Sequence, residues 1–390
     1  MRPLNVVGFV EGARADSGSF GLSGVPRIHR ALAEQGHEDV LFVAGDPIPA
    51  SGPQAQVFPS HGFWRFAPGL LRSRVARAVR TCDFVSLHSI YSFPVLLGAR
   101  LARRHRKPYG VWPHGVFAPV QRRIHPTRKR VYDVLVANAI LKHASIHFFS
   151  AEGERDEMRP LGIPGPSVVI PHGIDLSAPR ERTGRFRREF LGGRGGPMVL
   201  YLGRLNEKKG LDIAIRAMDT AWAACPTAVL AIAGGAHPPS FEGTVRRWAA
   251  ESARPQDIVF TGVVSEAQKA DAYADADVFI LPSEAENFGF AMFEAMAARV
   301  PVIVSNTLDY AARVTEAGAG LAVARSPDSF GHAIRQVLQD REAARAMGAN
   351  GPGLCAQFSW DACGRRFAEA IEAVVTGAPL PSELKPEYPA

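Results

Sequence analysis

Cysteine is scarce in this chain, with four residues (Cys82, Cys225, Cys355, Cys363) in 390 and no CxxC pair among them. That excludes a disulfide framework and a thiolate zinc site, and it fits a reducing cytoplasm. No apolar run approaches the roughly 18–20 residues that a membrane-spanning helix needs. Met1–Val10 runs straight into a strand-like segment, without the charged start, longer apolar stretch and small-residue cleavage site of a signal peptide, so a cytoplasmic location is expected. Acidic residues are short in the first half only. Residues 1–175 hold 22 Lys and Arg against 13 Asp and Glu, a balance of +9, and the rest holds 23 against 25, a balance of −2. A basic half suits nucleic acid, an anionic membrane surface or a phosphorylated acceptor, and it also suits arginines that merely solvate helix faces.

What is present is length and periodicity. A chain of 390 residues with 46% hydrophobic content exceeds one ordinary core and suits two. Short apolar runs alternate with helical patterns throughout, the pattern of βαβ units and parallel sheets. The first set of strands is expected at Leu4–Val10, Val40–Val43, Phe84–Leu87, Tyr109–Trp112, Ile146–Phe149 and Val168–Ile170. An Arg- and Gly-rich block over 179–197, without apolar periodicity, follows and reads as a linker with a short amphipathic piece. The pattern restarts with Met198–Leu202, Ala228–Ala233, Ile258–Phe260, Val278–Leu281, Val300–Val304 and Gly320–Val323. The division this predicts is a first α/β domain over 1–178, a linker over 179–196, a second α/β domain over 197–356, a last helix over 357–376 and a Pro-rich loose tail over 377–390.

Two α/β domains in tandem bind ligands beyond the carboxyl ends of their strands. After Met198–Leu202 comes Gly203-Arg204-Leu205-Asn206-Glu207-Lys208-Lys209-Gly210, then a helical stretch. A glycine at the strand end lets a ligand approach the backbone, and a helix N-terminus with Arg204 and Lys209 beside it suits a diphosphate. A solvated surface turn is the plain alternative. After Val278–Leu281 comes Pro282-Ser283-Glu284-Ala285-Glu286-Asn287-Phe288-Gly289, opening a helix that contains Glu294. Glu286 and Glu294 stand eight residues apart, and a carboxylate can accept two hydrogen bonds from the vicinal hydroxyls of a ribose or hexose.

This segment resembles the Glu-x7-Glu motif of glycosyltransferase family 4 (group 1), and Gly203–Gly210 resembles that family's phosphate segment. Further landmarks follow in the family's order: Pro113-His114-Gly115, Pro171-His172-Gly173-Ile174-Asp175, Phe260-Thr261-Gly262, Tyr273-Ala274-Asp275-Ala276-Asp277 and Phe358-Ser359-Trp360. The resemblance spans about residues 4–375. It implies a GT-B fold, two Rossmann-like parallel-sheet domains facing a cleft, and retaining transfer of a hexose from a nucleotide-sugar without a metal or other cofactor. The implied acceptor is a hydroxyl of a glycan or lipid-linked glycan in polysaccharide or glycoconjugate biosynthesis.

The resemblance also implies roles. Arg204 and Lys209 would hold the donor pyrophosphate, with Gly203 and Gly262 lining the nucleotide, and Glu294 the ribose. Glu286 and the amides of Asn287, Phe288 and Gly289 would position the sugar. His114 would contact that sugar's 6-position. On the acceptor side, the loop Gly18-Ser19-Phe20-Gly21 departs from the family's usual Gly-Gly pair. His172 stands where the family has Asn, and Arg299 where it has Gly.

Asp275-Ala276-Asp277 mimics a metal-binding DxD, but its place just before a strand favours a turn. His143 and His147 are spaced i, i+4 without a third ligand, and His29, His37, His61, His88 and His105 take no role. A sugar-nucleotide epimerase or a phosphorylase could share the scaffold. A nucleotide-linked oxidoreductase would need a GxGxxG turn that Gly18–Gly24 matches poorly. No basic–aromatic interleaving or known module supports a nucleic-acid partner. Peripheral contact with an anionic membrane at the inner face is a further expectation, from the clusters Arg72–Arg80, Arg100–Lys107 and Arg122–Arg130.

Overall fold

A computed structural model describes residues 3–11, 24–46, 55–62, 64–175 and 180–384. The chain divides into two compact units, residues 1–173 with 360–390, and residues 174–359. The first holds seven strands: β1 (Asn5–Glu11), β2 (Glu38–Ala44), β3 (Ala55–Phe58), β4 (Phe84–His88), β5 (Tyr109–Trp112), β6 (Ile146–Phe149) and β7 (Ser167–Val169). They pair in parallel in the order β3-β2-β1-β4-β5-β6-β7. Successive residues of a strand point to opposite faces, so Val6 and Val7 enter different cores. Val7 and Phe9 pack with Val75, Val79, Val95 and Ile140, whereas Leu4 and Val6 pack with Ile28, Leu32, Phe367 and Ile371. The last two belong to the helix Trp360–Thr376, which lies on the helix Gly24–Glu34. Gly364 permits that approach, since a Cβ there would stand 2.7 Å from the Ala31 Cβ.

The second unit holds six strands: β8 (Met198–Leu202), β9 (Val229–Ala233), β10 (Ile258–Gly262), β11 (Val278–Leu281), β12 (Val302–Ser305) and β13 (Gly320–Val323). All pair in parallel, in the order β10-β9-β8-β11-β12-β13. Its main core packs β8, β9 and β11 against the helices Leu211–Ala224 and Pro327–Gln339. The inner strands β8, β9, β11 and β12 are buried throughout or nearly so, and their runs are accordingly continuous apolar stretches rather than alternating ones, whereas the edge strands β10 and β13 are half-buried.

Three expectations change. The Arg- and Gly-rich block expected as a linker is built into the second unit. It carries a short helix, Arg185–Phe190, with Phe186 and Arg187 buried. The tail is not loose where it is described, because Leu384 is buried in the first unit's core beside Leu380. The edge strand β3 was not expected, being four residues with a single fully buried side chain, Phe58.

Candidate functional site

In each sheet the strand order reverses once, between β1 and β4 in the first unit and between β8 and β11 in the second. Such a reversal splays the connections apart and opens a crevice at the strands' carboxyl ends. In the second unit the two segments leaving that point are Gly203–Gly210 and Pro282–Gly289, the two that the sequence singled out.

Backbone geometry holds these segments together. Gly210 adopts φ +66°, and a Cβ there would fall 2.2 Å from the Pro282 carbonyl oxygen. The Glu284 amide donates to the Lys208 carbonyl at 2.7 Å, and the Arg325 guanidinium donates to Pro282 O at 3.1 Å. Lys209 consequently meets Glu286 in an ion pair in which each side chain is 12% exposed. The Ser283 hydroxyl donates to the same carboxylate at 2.7 Å. Burial pushes the Glu286 carboxyl up, but Lys209, Lys208 and the Ser283 hydroxyl outweigh it and hold the group below the usual carboxylate range. Glu286 is an anion here.

The Tyr201 hydroxyl, at the end of β8, donates to Arg204 O at 2.9 Å. Burial first, then the Glu286 charge, keeps that phenol protonated against the opposing pull of Arg204. Arg204 is half-buried and makes no ion pair among the described residues. Gly289, at φ +85°, turns the chain into the helix Phe290–Ala297. Phe288 differs from its neighbours: its ring is buried among Phe293, Tyr310 and Phe358, so only its amide could face a ligand. Asn287 is half-buried.

Glu294 sits in a second constellation. Lys269 Nζ donates to one carboxylate oxygen at 2.9 Å and the Tyr273 hydroxyl to the other at 3.0 Å. Burial lowers the affinity of Lys269 for its proton, but Glu294 and Glu266 reverse this and raise it. Lys269 was not singled out in the sequence, and Tyr273 only as the start of a landmark segment, without a role at the site. Their i, i+4 spacing on the helix Glu266–Asp275, directly before β11, is the signal that could have found them. On the other side of β8, a Cβ at Gly234 would stand 1.9 Å from Gly203 O, so this glycine lets the loops after β8 and β9 pass. Gly262, at φ +71° and with open space at its Cβ position, closes β10.

The DxD look-alike is fully engaged in structure. Asp275 accepts from the amides of Gly184 at 2.8 Å and Arg187 at 3.3 Å. Asp277 pairs with Arg182 at 2.8 Å and Arg187 at 2.7 Å and accepts from the Met198 amide at 2.7 Å. These carboxylates pin the Arg-rich block to the second unit. His143 and His147 likewise lie against the backbone carbonyls of Ala139 and Leu141.

In the first unit, Gly18, Ser19, Phe20 and Gly21 lie outside the described residues. His114 follows β5 with φ +56° and is 7% exposed. It stacks on Trp112 and His172, with ring centroids 5.3 and 5.6 Å away. Its Nε2 lies 3.0 Å from Nδ1 of His88, a residue that the sequence left without a role. Arg299 has φ +62° directly after the cap of the helix Phe290–Ala297, the left-handed position that ordinarily takes glycine.

Two tandem all-parallel sheets with the polar constellations gathered at a switch point define the GT-B class, and solved structures share the fold. HepE from Anabaena, in complex with UDP and glucose, aligns with TM-score 0.76 at 17% identity, over 95% of this chain and 100% of that one. Sucrose-phosphate synthase from Thermosynechococcus elongatus aligns with TM-score 0.72 at 20% identity, over 97% and 100%. Two family models match in turn, Glycosyltransferase Family 4 over residues 25–178 and Glycosyl transferases group 1 over residues 185–353. The chain belongs to the group 1 glycosyltransferases of family 4.

Among curated relatives, a GDP-mannose-dependent alpha-(1-6)-phosphatidylinositol monomannoside mannosyltransferase of Mycobacterium tuberculosis is 33% identical over 215 residues, 52% of this chain and 54% of that protein. A D-inositol 3-phosphate glycosyltransferase of Kineococcus radiotolerans is 29% identical over 250 residues, 58% and 56%. The matched chain thus spans about half the length of these curated relatives.

Proposed function

We propose that this chain is a retaining glycosyltransferase that moves a hexose from a nucleotide-sugar to a hydroxyl of a glycan or lipid-linked acceptor. The observation that carries the reading is the pair of constellations at the second unit's switch point, Lys209–Glu286–Ser283 and Lys269–Glu294–Tyr273. Glu294 accepts hydrogen bonds from the ribose hydroxyls, and its Lys269 and Tyr273 contacts hold the carboxylate still. Glu286 and the amides of Asn287, Phe288 and Gly289 position the sugar.

Arg204, which makes no ion pair among the described residues, supplies a cation for the pyrophosphate, and Lys209, one of whose three donors meets Glu286, adds another. Together they stabilise the charge that develops on the leaving group, the principal electrostatic demand of such a transfer. In that step the bond from the anomeric carbon to phosphate oxygen breaks. The bond to the acceptor oxygen forms on the same face, and the acceptor proton passes to the departing phosphate. Phosphate charge met by Arg204, Lys209 and backbone amides supports a mechanism that needs no divalent ion.

The acceptor is proposed to lie on a membrane-bound carrier. Ile124, Val131, Val134 and Leu135 are 50–72% exposed, among the exposed cations Arg123, Arg128 and Arg130. Exposed apolar residues interleaved with arginines along one segment suit the surface of an anionic bilayer. Among the described residues, no helix is long and apolar enough to cross one. The relatives' GDP-mannose and phosphatidylinositol mannoside substrates belong to those proteins and serve here to choose candidates. Calorimetric titration with UDP, GDP and ADP tests the reading: one should bind, NAD should not, and NAD binding in preference to all three would overturn it.

A further inference from the structure

The first unit contains a line of buried imidazoles that ends at His114 and whose inner members, His29 and His88, have no part in the transfer chemistry above. Asp39 on β2 lies with its Oδ1 2.6 Å from His29 Nδ1, both side chains fully buried. His29 Nε2 is 3.0 Å from His88 Nε2, and His88 Nδ1 is 3.0 Å from His114 Nε2. The Ser86 hydroxyl is 2.7 Å from the same His88 nitrogen that meets His29. The backbone makes room for this line: a Cβ at Gly8 would stand 2.4 Å from the His29 ring. His29 and His88 are 0% exposed and His114 7%, so His114 is the end that reaches the surface.

With Asp39 a carboxylate that accepts from His29 Nδ1–H, and with His88 and His114 kept neutral by their burial, hydrogen-bond bookkeeping allows two arrangements only. In one, His29 is neutral, His88 donates from Nε2 to His29, and His114 donates from Nε2 to His88, which leaves the His114 Nδ1 an acceptor. In the other, His29 is the imidazolium and donates from Nε2 to His88. His88 then donates from Nδ1 to His114, and His114 Nδ1 carries a proton and donates.

The arrangements differ by one proton. It enters at His114 Nδ1, the His114 Nε2 proton moves to His88 Nδ1, and the His88 Nε2 proton moves to His29 Nε2. The charge comes to rest beside the Asp39 carboxylate while His114 and His88 stay neutral. The Ser86 hydroxyl serves both states because it can accept or donate.

We propose that Asp39, His29 and His88 are positioning residues that form a proton relay to His114 and set whether its outer nitrogen donates or accepts a hydrogen bond. A relay explains why three histidines are buried in series rather than one. Burial, reinforced by the neighbouring imidazoles, holds His88 and His114 well below the usual histidine range, so neither carries the charge itself. Among the described residues, the titratable groups around the line are Asp39 from β2 with His37 near it, His172 from the loop after β7, and Glu154, whose carboxylate accepts from the Gly115 amide at 2.5 Å. From the helix Trp360–Thr376, the Phe367 ring packs 6.4 Å from that of His29. A donating His114 would bind a sugar hydroxyl through its lone pair, an accepting one through its proton. This consequence rests on the transferase reading; the relay does not.

The test is nitrogen-15 NMR of the histidine rings in the full chain between about pH 5 and 8, the range in which imidazole side chains ordinarily change charge. The ring nitrogens of His29, His88 and His114 should change together at one midpoint. Asp39→Asn should lower that midpoint by about one pH unit or more, because the carboxylate that holds the imidazolium is gone. His88→Gln, which breaks the line in its middle and guards against a misfolded Asp39 variant, should leave His29 and His114 changing independently. If His114 changes alone in the unmodified chain, or keeps its midpoint in Asp39→Asn, the relay is wrong. The acid limb of donor turnover should move with the same midpoint. An enzyme that turns over no nucleotide-sugar would end the transferase reading and leave the ring nitrogens to decide the relay.

Discussion

The two glutamates of the second unit are eight residues apart, yet the structure gives them different partners, and so different consequences when changed. Glu294→Gln keeps its shape but loses the charge that Lys269 and Tyr273 orient. Nucleoside diphosphate affinity should fall by about 1–3 kcal/mol, the range for losing a charged hydrogen-bond partner. Glu286→Gln instead releases Lys209, so affinity for free nucleotide should hold or rise while turnover drops. Titration calorimetry on both variants separates the cases, and an equal loss of affinity in the two contradicts the assignment. Arg299 offers a test of local conformation. A non-glycine residue in the left-handed region costs roughly 1–2 kcal/mol. Part of this returns as the greater entropy loss of glycine, so Arg299→Gly should stabilise the chain by about 0.5–1 kcal/mol. A thermal midpoint that falls in this variant would show that the Arg299 side chain does something its backbone does not reveal.

At the scale of elements, the strands of both sheets except β3 were legible because parallel strands buried on two faces read as continuous apolar runs, and five of those expected begin and end where the structure has them: β5, β6, β8, β11 and β13. The motif loops were legible for a related reason, since glycines, charges and a strand end coincide there. Long-range pairing was not. Nothing in the local pattern of Arg180–Gly196 says that its arginines reach Asp271, Asp275 and Asp277 some 90 residues away, so the block reads as a linker. Nor does an isolated His29 or His88 announce a neighbour on another strand. Asp277→Ala leaves Arg187, itself 8% exposed, without its carboxylate. The second unit should lose about 1–3 kcal/mol of stability in denaturant unfolding, with activity in excess chelator unchanged relative to activity with magnesium. A variant of full stability whose activity becomes metal-dependent would return this segment to the role of a DxD site.

For the whole molecule, buried neutral histidines tie stability to pH. Burial lowers His88, His114, His147 and His172, the last to about 3. Below about pH 6.5 the unfolded chain takes up protons that the folded chain refuses, so stability is complete above that pH and is lost progressively as pH falls toward 3. Thermal midpoints should therefore drop between pH 7.5 and pH 5, and a flat profile would contradict the buried, neutral state of these rings. The exposed apolar residues Ile124, Val131, Val134 and Leu135 make a separate demand. Sedimentation with liposomes should rise with anionic lipid, fall with salt, and weaken in a Val134→Ser, Leu135→Ser variant as well as when Arg123, Arg128 and Arg130 are neutralised. Equal binding to neutral and anionic vesicles at low salt would remove the membrane from the account.

The central claim is that the second unit's switch point activates a nucleotide-sugar without a metal ion. Its most direct test is nucleoside diphosphate release from a panel of UDP-, GDP- and ADP-hexoses in excess chelator, with and without candidate glycan and lipid-linked acceptors. The account predicts release from one donor class, faster with an acceptor, undiminished by chelator and strongly reduced in Glu286→Gln. Release that requires added magnesium or manganese, or that is the same in Glu286→Gln as in the unmodified chain, would contradict it.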